Sequence, residues 1–331
     1  MQDTNNINWG IIGLGNIAHQ FCRDLLLVDD AVIYAVASRS QEKANTFGEQ
    51  YGVTNCYDSY DAILKDDHVD IIYIATPHNS HAELSVKAMT HGKHVLCEKP
   101  IALNKAEANM MIETSKETGQ FFMEAFWTRF NPSVVEALLK IKNGDLGAIK
   151  YINADFAFYV DIPEGSRMTK TELGGGSLLD MGVYPLFLAY VVLGMPEKIM
   201  AAANFFESGA DQQTSMILHY KGAQAVLHSS FMSPSNMVAT ISGTEGRINL
   251  HSVWHETQGY SMIRNNHKVD YHLPTKGKGF TYEIEACHKC IRNNQIESDV
   301  WSHQDSLNLM SITDAVRKET GLKFPQENKI K

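Results

Sequence analysis

Three clusters of residues in this 331-residue chain are of types and spacings that can do chemistry. The first is Gly13-Leu14-Gly15-Asn16-Ile17-Ala18, a G-x-G-x-x-A run between the strand-like INWGII (7–12) and the helical pattern IAHQFCRDLLL. At such a junction the first glycine makes a tight turn and the second lets the backbone approach a pyrophosphate. The helix N-terminus adds unpaired N–H groups and the positive end of its dipole. Ala18 in the third place still permits close helix–sheet packing. Gly13, Leu14, Gly15, Asn16 and Ile17 are therefore the expected phosphate loop of a dinucleotide site. The next strand-like run, AVIYAVAS (31–38), selects the cofactor. NAD sites usually carry Asp or Glu at its end for the ribose 2′-hydroxyl, whereas this chain has Ser38-Arg39-Ser40, with Lys43 a helical turn on. A guanidinium pairs with a 2′-phosphate that a carboxylate would repel. NADP(H) is the expected cofactor and NAD(H) the alternative, against the plainer reading of a solvated charged turn.

The second cluster, Glu98-Lys99-Pro100, follows the run HVLC at the carboxyl edge of a strand, where doubly wound sheets place their ligands. A lysine there can orient a substrate hydroxyl and stabilise the charged form of a neighbouring acid, although most lysines at strand ends are simply solvated. The third runs from Gly174-Gly175-Gly176 through Asp180 and Tyr184 to Pro185. Asp180 and Tyr184 are four residues apart, so a helix would put them on one face. The three glycines would allow a ligand close to the backbone, and Pro185 should kink or bound the helix. An ordinary amphipathic helix behind a glycine cap would give the same pattern.

Stepping outward, strand and helix alternate through the first third: DIIYIAT (70–76), NSHAELSVKAMTHG, HVLCE (94–98), NKAEANMMIETSKETG and FFMEAF (121–126). That rhythm predicts right-handed crossovers and a parallel sheet, a doubly wound domain over 1–125. After Asn131-Pro132 the pattern changes. A helix PSVVEALLKIKNG leads to AIKYINADFAFYV (148–160) and an apolar helix around LLDMGVYPLFLAYVVLG. Four or more short strands follow between 197 and 273, then helices TYEIEACHKCIRNN and HQDSLNLMSITDAVRKETG. Residues 126–331 are expected to form an α+β domain with a large, mainly antiparallel open sheet and helices on one side.

Composition agrees with two domains of about 150 residues each. Apolar residues make up 44% and charged residues 20%, ordinary for a globular chain, and the net charge is −9 with no basic run. Neither nucleic acid nor an anionic membrane is an expected partner. Five cysteines, at 22, 56, 97, 287 and 290, suggest free thiols in a reducing, cytoplasmic setting. No leader peptide is expected from MQDTNNINWG, and the greasiest run, PLFLAYVVL, is short for a span. Cys287-His288-Lys289-Cys290 lacks the second pair of a zinc ribbon and lies in a helical run. His78, His81, His91 and His94 resemble a metal cluster in composition only, so no metal is expected.

With these residues in view, the chain resembles the glucose–fructose oxidoreductase / inositol dehydrogenase (Gfo/Idh/MocA) family over essentially its whole length. The resemblance rests on GLGNIA, ATPHNSH (75–81), EKP, EAFWTRFNP (124–132) and GGGSLLDMGVY. Within the family it is similar to the subgroup that carries tyrosine where inositol dehydrogenases have histidine, here Tyr184. The resemblance implies that Lys99 and Asp180 hold the reacting oxygen and that Tyr184 gives and takes its proton. It implies that Thr76, Pro77, His78, Asn79 and His81 lie under the nicotinamide and its ribose, and that Trp127, Arg129 and Arg167 line the mouth of the site. Glu98 and Lys99 join the cofactor set.

The expected function is an NADP-dependent oxidoreductase acting on a secondary alcohol or carbonyl of a sugar or vicinal diol. Two alternatives stay open at this point: a non-catalytic NADP-sensing regulator, and an NAD-dependent glycosidase of the same fold. A sheet with one uncovered face needs a cover, so a homodimer through the second domain is expected.

Overall fold

The computed structural model describes residues 6–163 and 165–326. They fall into two compact units, one comprising the chain up to 102, 106–130 and 276–306, the other 103–105, 131–275 and the chain from 307 on.

The first unit begins with β1 (Ile7–Ile12), α1 (Asn16–Leu25), β2 (Ala31–Ala37) and α2 (Gln41–Tyr51). Next come β3 (Asn55–Tyr57), α3 (Tyr60–Leu64), β4 (Ile71–Ile74), α4 (His81–Thr90), β5 (His94–Glu98), α5 (Lys105–Thr118) and β6 (Phe122–Ala125). The six strands are all parallel and run in the order β3-β2-β1-β4-β5-β6. This is the doubly wound order whose switch point lies between β1 and β4. Continuous apolar runs such as IIYI of β4 are wholly buried, as strands covered on both faces must be. Short β3 and α3 were not expected. NCY and YDAIL are too brief to show a period, and α3 is fixed by Ser59, whose Oγ accepts from the Ala62 amide.

The second unit opens with α6 (Pro132–Lys142), capped by Asn131, which accepts from the amides of Ser133 and Val134, with Pro132 in the first turn. Then come β7 (Ile149–Ala157), a π-helical turn (Leu178–Gly182) and α7 (Val183–Leu193). The sheet is completed by β8 (Lys198–Phe205), β9 (Asp211–Tyr220), β10 (Ala223–Ser230), β11 (Ala239–Gly243), β12 (Gly246–Leu250), β13 (Gly259–Arg264) and β14 (His267–His272). Its eight strands run β14-β13-β12-β11-β7-β10-β9-β8, antiparallel throughout except for the β7–β10 pair. α7 packs on β7 and β10. On the opposite face Met200 pairs across to Ile217 and Ile217 to Val226, with Met200 and Ile217 both exposed. The expected α+β domain with an open sheet is observed.

Two details differ from expectation. Residues 171–193 form a stretch whose most apolar window of 18 residues has a mean hydropathy of 1.6, long and apolar enough on those two counts to cross a membrane; PLFLAYVVL is only its end. Yet 72% of its most apolar window is buried, as in the core helix of a folded domain. Pro185, expected to bend or stop the helix, is the third residue of α7, just past the change from π to α winding, and α7 runs on through it to Leu193.

The chain closes with α8 (Thr281–Arg292) and α9 (His303–Thr320). The boundary at 125/126 assigned everything after it to the second domain, but residues 276–306 pack with the first unit. The cause is a set of long-range polar anchors. The Asp24 carboxylate accepts from the amides of Lys278, Gly279 and Phe280 at 2.8–2.9 Å and so caps α8 from another helix. Trp9 Nε1 donates to His288 Nε2, whose Nδ1 lies 3.0 Å from Asp30, placing the ring proton on Nδ1. Cys287 and Cys290 are buried on α8, and burial pushes both thiols up, away from reactivity.

Candidate active site

In the first unit the phosphate loop has the geometry its sequence implies. Gly13 has φ +90°, and a Cβ there would lie 2.5 Å from the Ala75 backbone, so only glycine fits. Gly15 is the N-cap of α1, and no side chain caps that helix. A Cβ at Gly15 would meet nothing within 4 Å, so the face of the loop is open to a ligand. Leu14 and Ile17 are partly buried, Asn16 is exposed, and Ala18 is fully buried against the sheet. An open glycine face over uncapped helix amides fits a pyrophosphate.

At the end of β2, Ser38 Oγ accepts from the Ser40 amide, and Ser40 Oγ accepts from the Lys43 amide to cap α2. Arg39 and Lys43 are exposed, and among the described residues no carboxylate pairs with either. The serines build the turn and leave both cations available to an anion.

The 76–81 segment is braced from within. His78, Asn79 and Ser80 form a 3-10 turn ahead of α4. Ser80 Oγ is 2.8 Å from Thr76 Oγ1 and from the Pro77 carbonyl. His81 is fully buried, with Nδ1 2.9 Å from the Pro100 carbonyl and Nε2 2.9 Å from the Thr76 carbonyl. It ties the loop to the segment after Lys99; Thr76, Pro77 and Ser80 keep part of their surface and Asn79 is exposed, with His78 nearly buried. Glu98 is also held internally, accepting from the Tyr73 hydroxyl and, at 3.2 Å, from the Lys99 amide. Trp127 lies in a 3-10 turn and stacks on Phe280 at 4.6 Å and 9°. Arg129 is half-buried, and burial pulls its guanidinium below the usual range against the opposing Asp305 carboxylate.

In the second unit Asp180 and Tyr184 do not share one regular helix. Asp180 lies in the π turn and Tyr184 is the second residue of α7. π turns are rare and concentrate at functional sites. Asp180 is 8% exposed, and its Oδ1 accepts from Arg167 Nη1 at 3.0 Å, the arginine coming from a 3-10 turn and standing half-exposed. Tyr184 is 4% exposed. Gly175 and Gly176 of the triple glycine serve packing rather than an open face. A Cβ at Gly175 would be 2.4 Å from the Arg167 carbonyl, and one at Gly176 2.1 Å from Asp211 Oδ1.

Two residues beside Tyr184 carry no signal in the sequence. Phe156 of β7 and His255 stack at 4.1 Å, and their ring centroids lie 5.5 and 4.9 Å from that of Tyr184. They are about 30 and 70 positions from the tyrosine, so only the sheet's pairing brings them there.

An open glycine turn on a 3-2-1-4-5-6 parallel sheet defines a dinucleotide-binding class of protein. Residues 7–126 match the profile described as "Oxidoreductase family, NAD-binding Rossmann fold" and residues 135–249 that of the "GFO/IDH/MocA C-terminal domain". The chain is 35% identical to trans-1,2-dihydrobenzene-1,2-diol dehydrogenase of Xenopus tropicalis, over 96% of this chain and 99% of that one. It is 32% identical to scyllo-inositol 2-dehydrogenase (NADP(+)) of Bacillus subtilis (strain 168), over 97% and 99%. The crystal structure of aldose-aldose oxidoreductase from Caulobacter crescentus complexed with glycerol superposes with a TM-score of 0.87 at 26% identity, covering 96% and 98% of the two chains. The chain belongs to the Gfo/Idh/MocA family and is an NAD(P)-dependent dehydrogenase or reductase.

Proposed function

We propose that the protein is an NADP(H)-dependent oxidoreductase that interconverts a secondary alcohol and a carbonyl on a sugar, polyol or vicinal diol. The observation that carries the cofactor assignment is the end of β2, where exposed Arg39 and Lys43 have no carboxylate on them among the described residues. The name of the Bacillus relative, which includes NADP(+), supports it.

Tyr184 is the acid/base. A phenol titrates near ~10 and is a weak base at neutral pH. The Lys99 ammonium favours the phenolate and steadies the alkoxide oxygen. In oxidation Tyr184 accepts the hydroxyl proton; in reduction it returns that proton to the nascent alkoxide. Asp180, fixed at one oxygen by Arg167, orients the hydroxyl. Thr76, Pro77, His78 and Asn79 line the cofactor side, braced by His81, and Trp127 and Arg129 line the mouth. When bound, the nicotinamide takes or gives the hydride.

The outer face of the eight-stranded sheet, with Met200 and Ile217, is the surface of a homodimer. Unpaired cysteines at all five positions suit a cytoplasmic setting.

The test is turnover of aldoses, inositols and vicinal diols with NADP+ or NAD+, beside Tyr184→Phe. NADP+-dependent turnover that falls at least ~100-fold in the variant is expected. Retained turnover in the variant would remove Tyr184 from the role of acid/base.

A further inference from the structure

Asp211, the first residue of β9, is fully buried and is no part of the site described above. Its Oδ2 accepts three hydrogen bonds, from Ser177 Oγ at 2.6 Å, the Leu178 amide at 2.9 Å and Thr214 Oγ1 at 2.7 Å. Leu178 is the first residue of the π turn, and no side chain of its own segment caps that turn. The cap comes instead from Asp211, a partner 33 residues further along the chain.

The arrangement is costly in three ways. Oδ1 of Asp211 is buried with no hydrogen-bond partner. Burial pushes the carboxyl up, against the three donors on Oδ2. Gly176, at φ +124°, is compelled to be glycine, because a Cβ would sit 2.1 Å from Oδ1. An apolar side chain of the same size would avoid the unpaired oxygen, so packing alone does not account for a carboxyl here. What the carboxyl supplies is a fixed acceptor for both a side chain and a backbone amide at the start of a π turn.

The far end of the turn packs closely against the same network. Ser229 Oγ is 3.0 Å from Ser177 Oγ, and a Cβ at Gly182 would lie 3.0 Å from Ser229 Oγ. Thr214 and Ser229 are directly paired across β9 and β10. The turn is thus hydrogen-bonded to this network at its first residue and packed against it at its last, with Asp180 between the two and Tyr184 two residues past the second.

We infer that Asp211 is the positioning residue of the active site, holding the π turn wound so that Asp180 and Tyr184 keep their places. This rests on the proposal that Tyr184 and Asp180 act on the substrate. Asp211 touches neither.

The test compares Asp211→Ala, Asp211→Asn and Ser177→Ala with the unaltered protein and Tyr184→Phe. It follows kcat, KM, NADP+ affinity and amide hydrogen exchange across residues 178–184. Asp211→Ala should lower kcat about 100-fold, the scale of a small misplacement of reacting groups, and speed exchange of the turn. Its NADP+ affinity should stay unchanged, because the phosphate loop and the end of β2 belong to the first unit. Asp211→Asn keeps an oxygen that can accept from Ser177 and Leu178 and should restore kcat to within about 3-fold, the weakening of neutral relative to charged acceptors. Ser177→Ala should cost about 10-fold in kcat by loss of one bond to a charged group.

Normal kcat in Asp211→Ala, or equal losses in Asp211→Ala and Asp211→Asn, would overturn the inference. If Asp211→Ala does not fold, Ser177→Ala decides, and unchanged kcat and exchange there would overturn it. An active Tyr184→Phe would instead sink the acid/base proposal alone. The exchange of the turn and the Ala/Asn contrast would still rule on Asp211.

Discussion

The phosphate loop of the first unit and the π turn of the second both project groups from a helix start that no local side chain caps. They are stabilised differently. The loop depends on backbone: Gly13 fits against the Ala75 main chain, and the open face at Gly15 comes from the absence of a side chain. The turn depends on side chains that arrive from β9 and β10, namely Asp211, Thr214 and Ser229. The first arrangement is written in six consecutive residues and should fail only through them. The second is spread over more than fifty positions and can be broken from residues that touch no ligand.

The sharpest way to break this contrast is within the loop itself. Gly13→Ala places a Cβ 2.5 Å from the Ala75 backbone at φ +90°, and should weaken NADP+ binding about 100-fold while lowering the melting temperature. Gly15→Ala meets no protein atom, so its melting temperature should be unchanged while NADP+ binding weakens about 10-fold. Titration calorimetry and thermal melts of both variants check this. If Gly15→Ala bound NADP+ normally, the open face would not be where the pyrophosphate lies.

Next in size is Arg39→Ala. Loss of a charge-assisted bond should raise the NADP+ dissociation constant about 10-fold and leave that of NAD+ unaltered. Equal effects on both cofactors would remove Arg39 from the 2′-phosphate.

A smaller effect compares two buried carboxyls. Glu283 on α8 is fully buried and both of its oxygens lack hydrogen-bond partners, unlike Asp211 with three donors on one oxygen. Burial raises the Glu283 carboxyl well above the usual range, reinforced by Glu98 and Asp24. The folded chain therefore keeps a proton that the unfolded chain releases near pH ~4.3. Stability falls as pH rises from there through the raised folded value. Glu283→Gln removes that dependence and should raise the melting temperature by about 2–4 °C at pH 8. The gain should vanish at pH 4, and a pH-independent gain would contradict this account. Weakest in its effect on the fold, Ile217→Glu on the outer sheet face should shift a dimer to monomer in sedimentation equilibrium. An unmoved dimer would place the contact elsewhere.

The parallel sheet was legible because each unit of it is local. A buried strand is a continuous apolar run, its helix carries a cap, and the turn between them carries glycine. Gly13 to Ala18 could be read for the same reason. Asp180 and Tyr184 were legible as candidates, but not their setting, because a π turn has no sequence period of its own and exists here through contacts made 33 residues away. Phe156 and His255 were invisible, since no spacing rule links positions joined only by strand order and packing. The domain boundary failed on the same ground. Nothing within TYEIEACHKCIRNN shows that Asp24, Asp30 and Trp9 will hold α8 and its N-terminal approach.

By itself, then, the sequence determined the longer elements, the glycine loop after β1, the cationic end of β2 and the residue types able to move a proton. Each of these depends on torsion, periodicity or charge within about ten neighbouring residues. The tertiary structure alone decided that Arg167 meets Asp180, that Asp211 caps the π turn and that α8 joins the first unit. Those outcomes depend on burial, where a polar group must find its partner wherever the chain brings one.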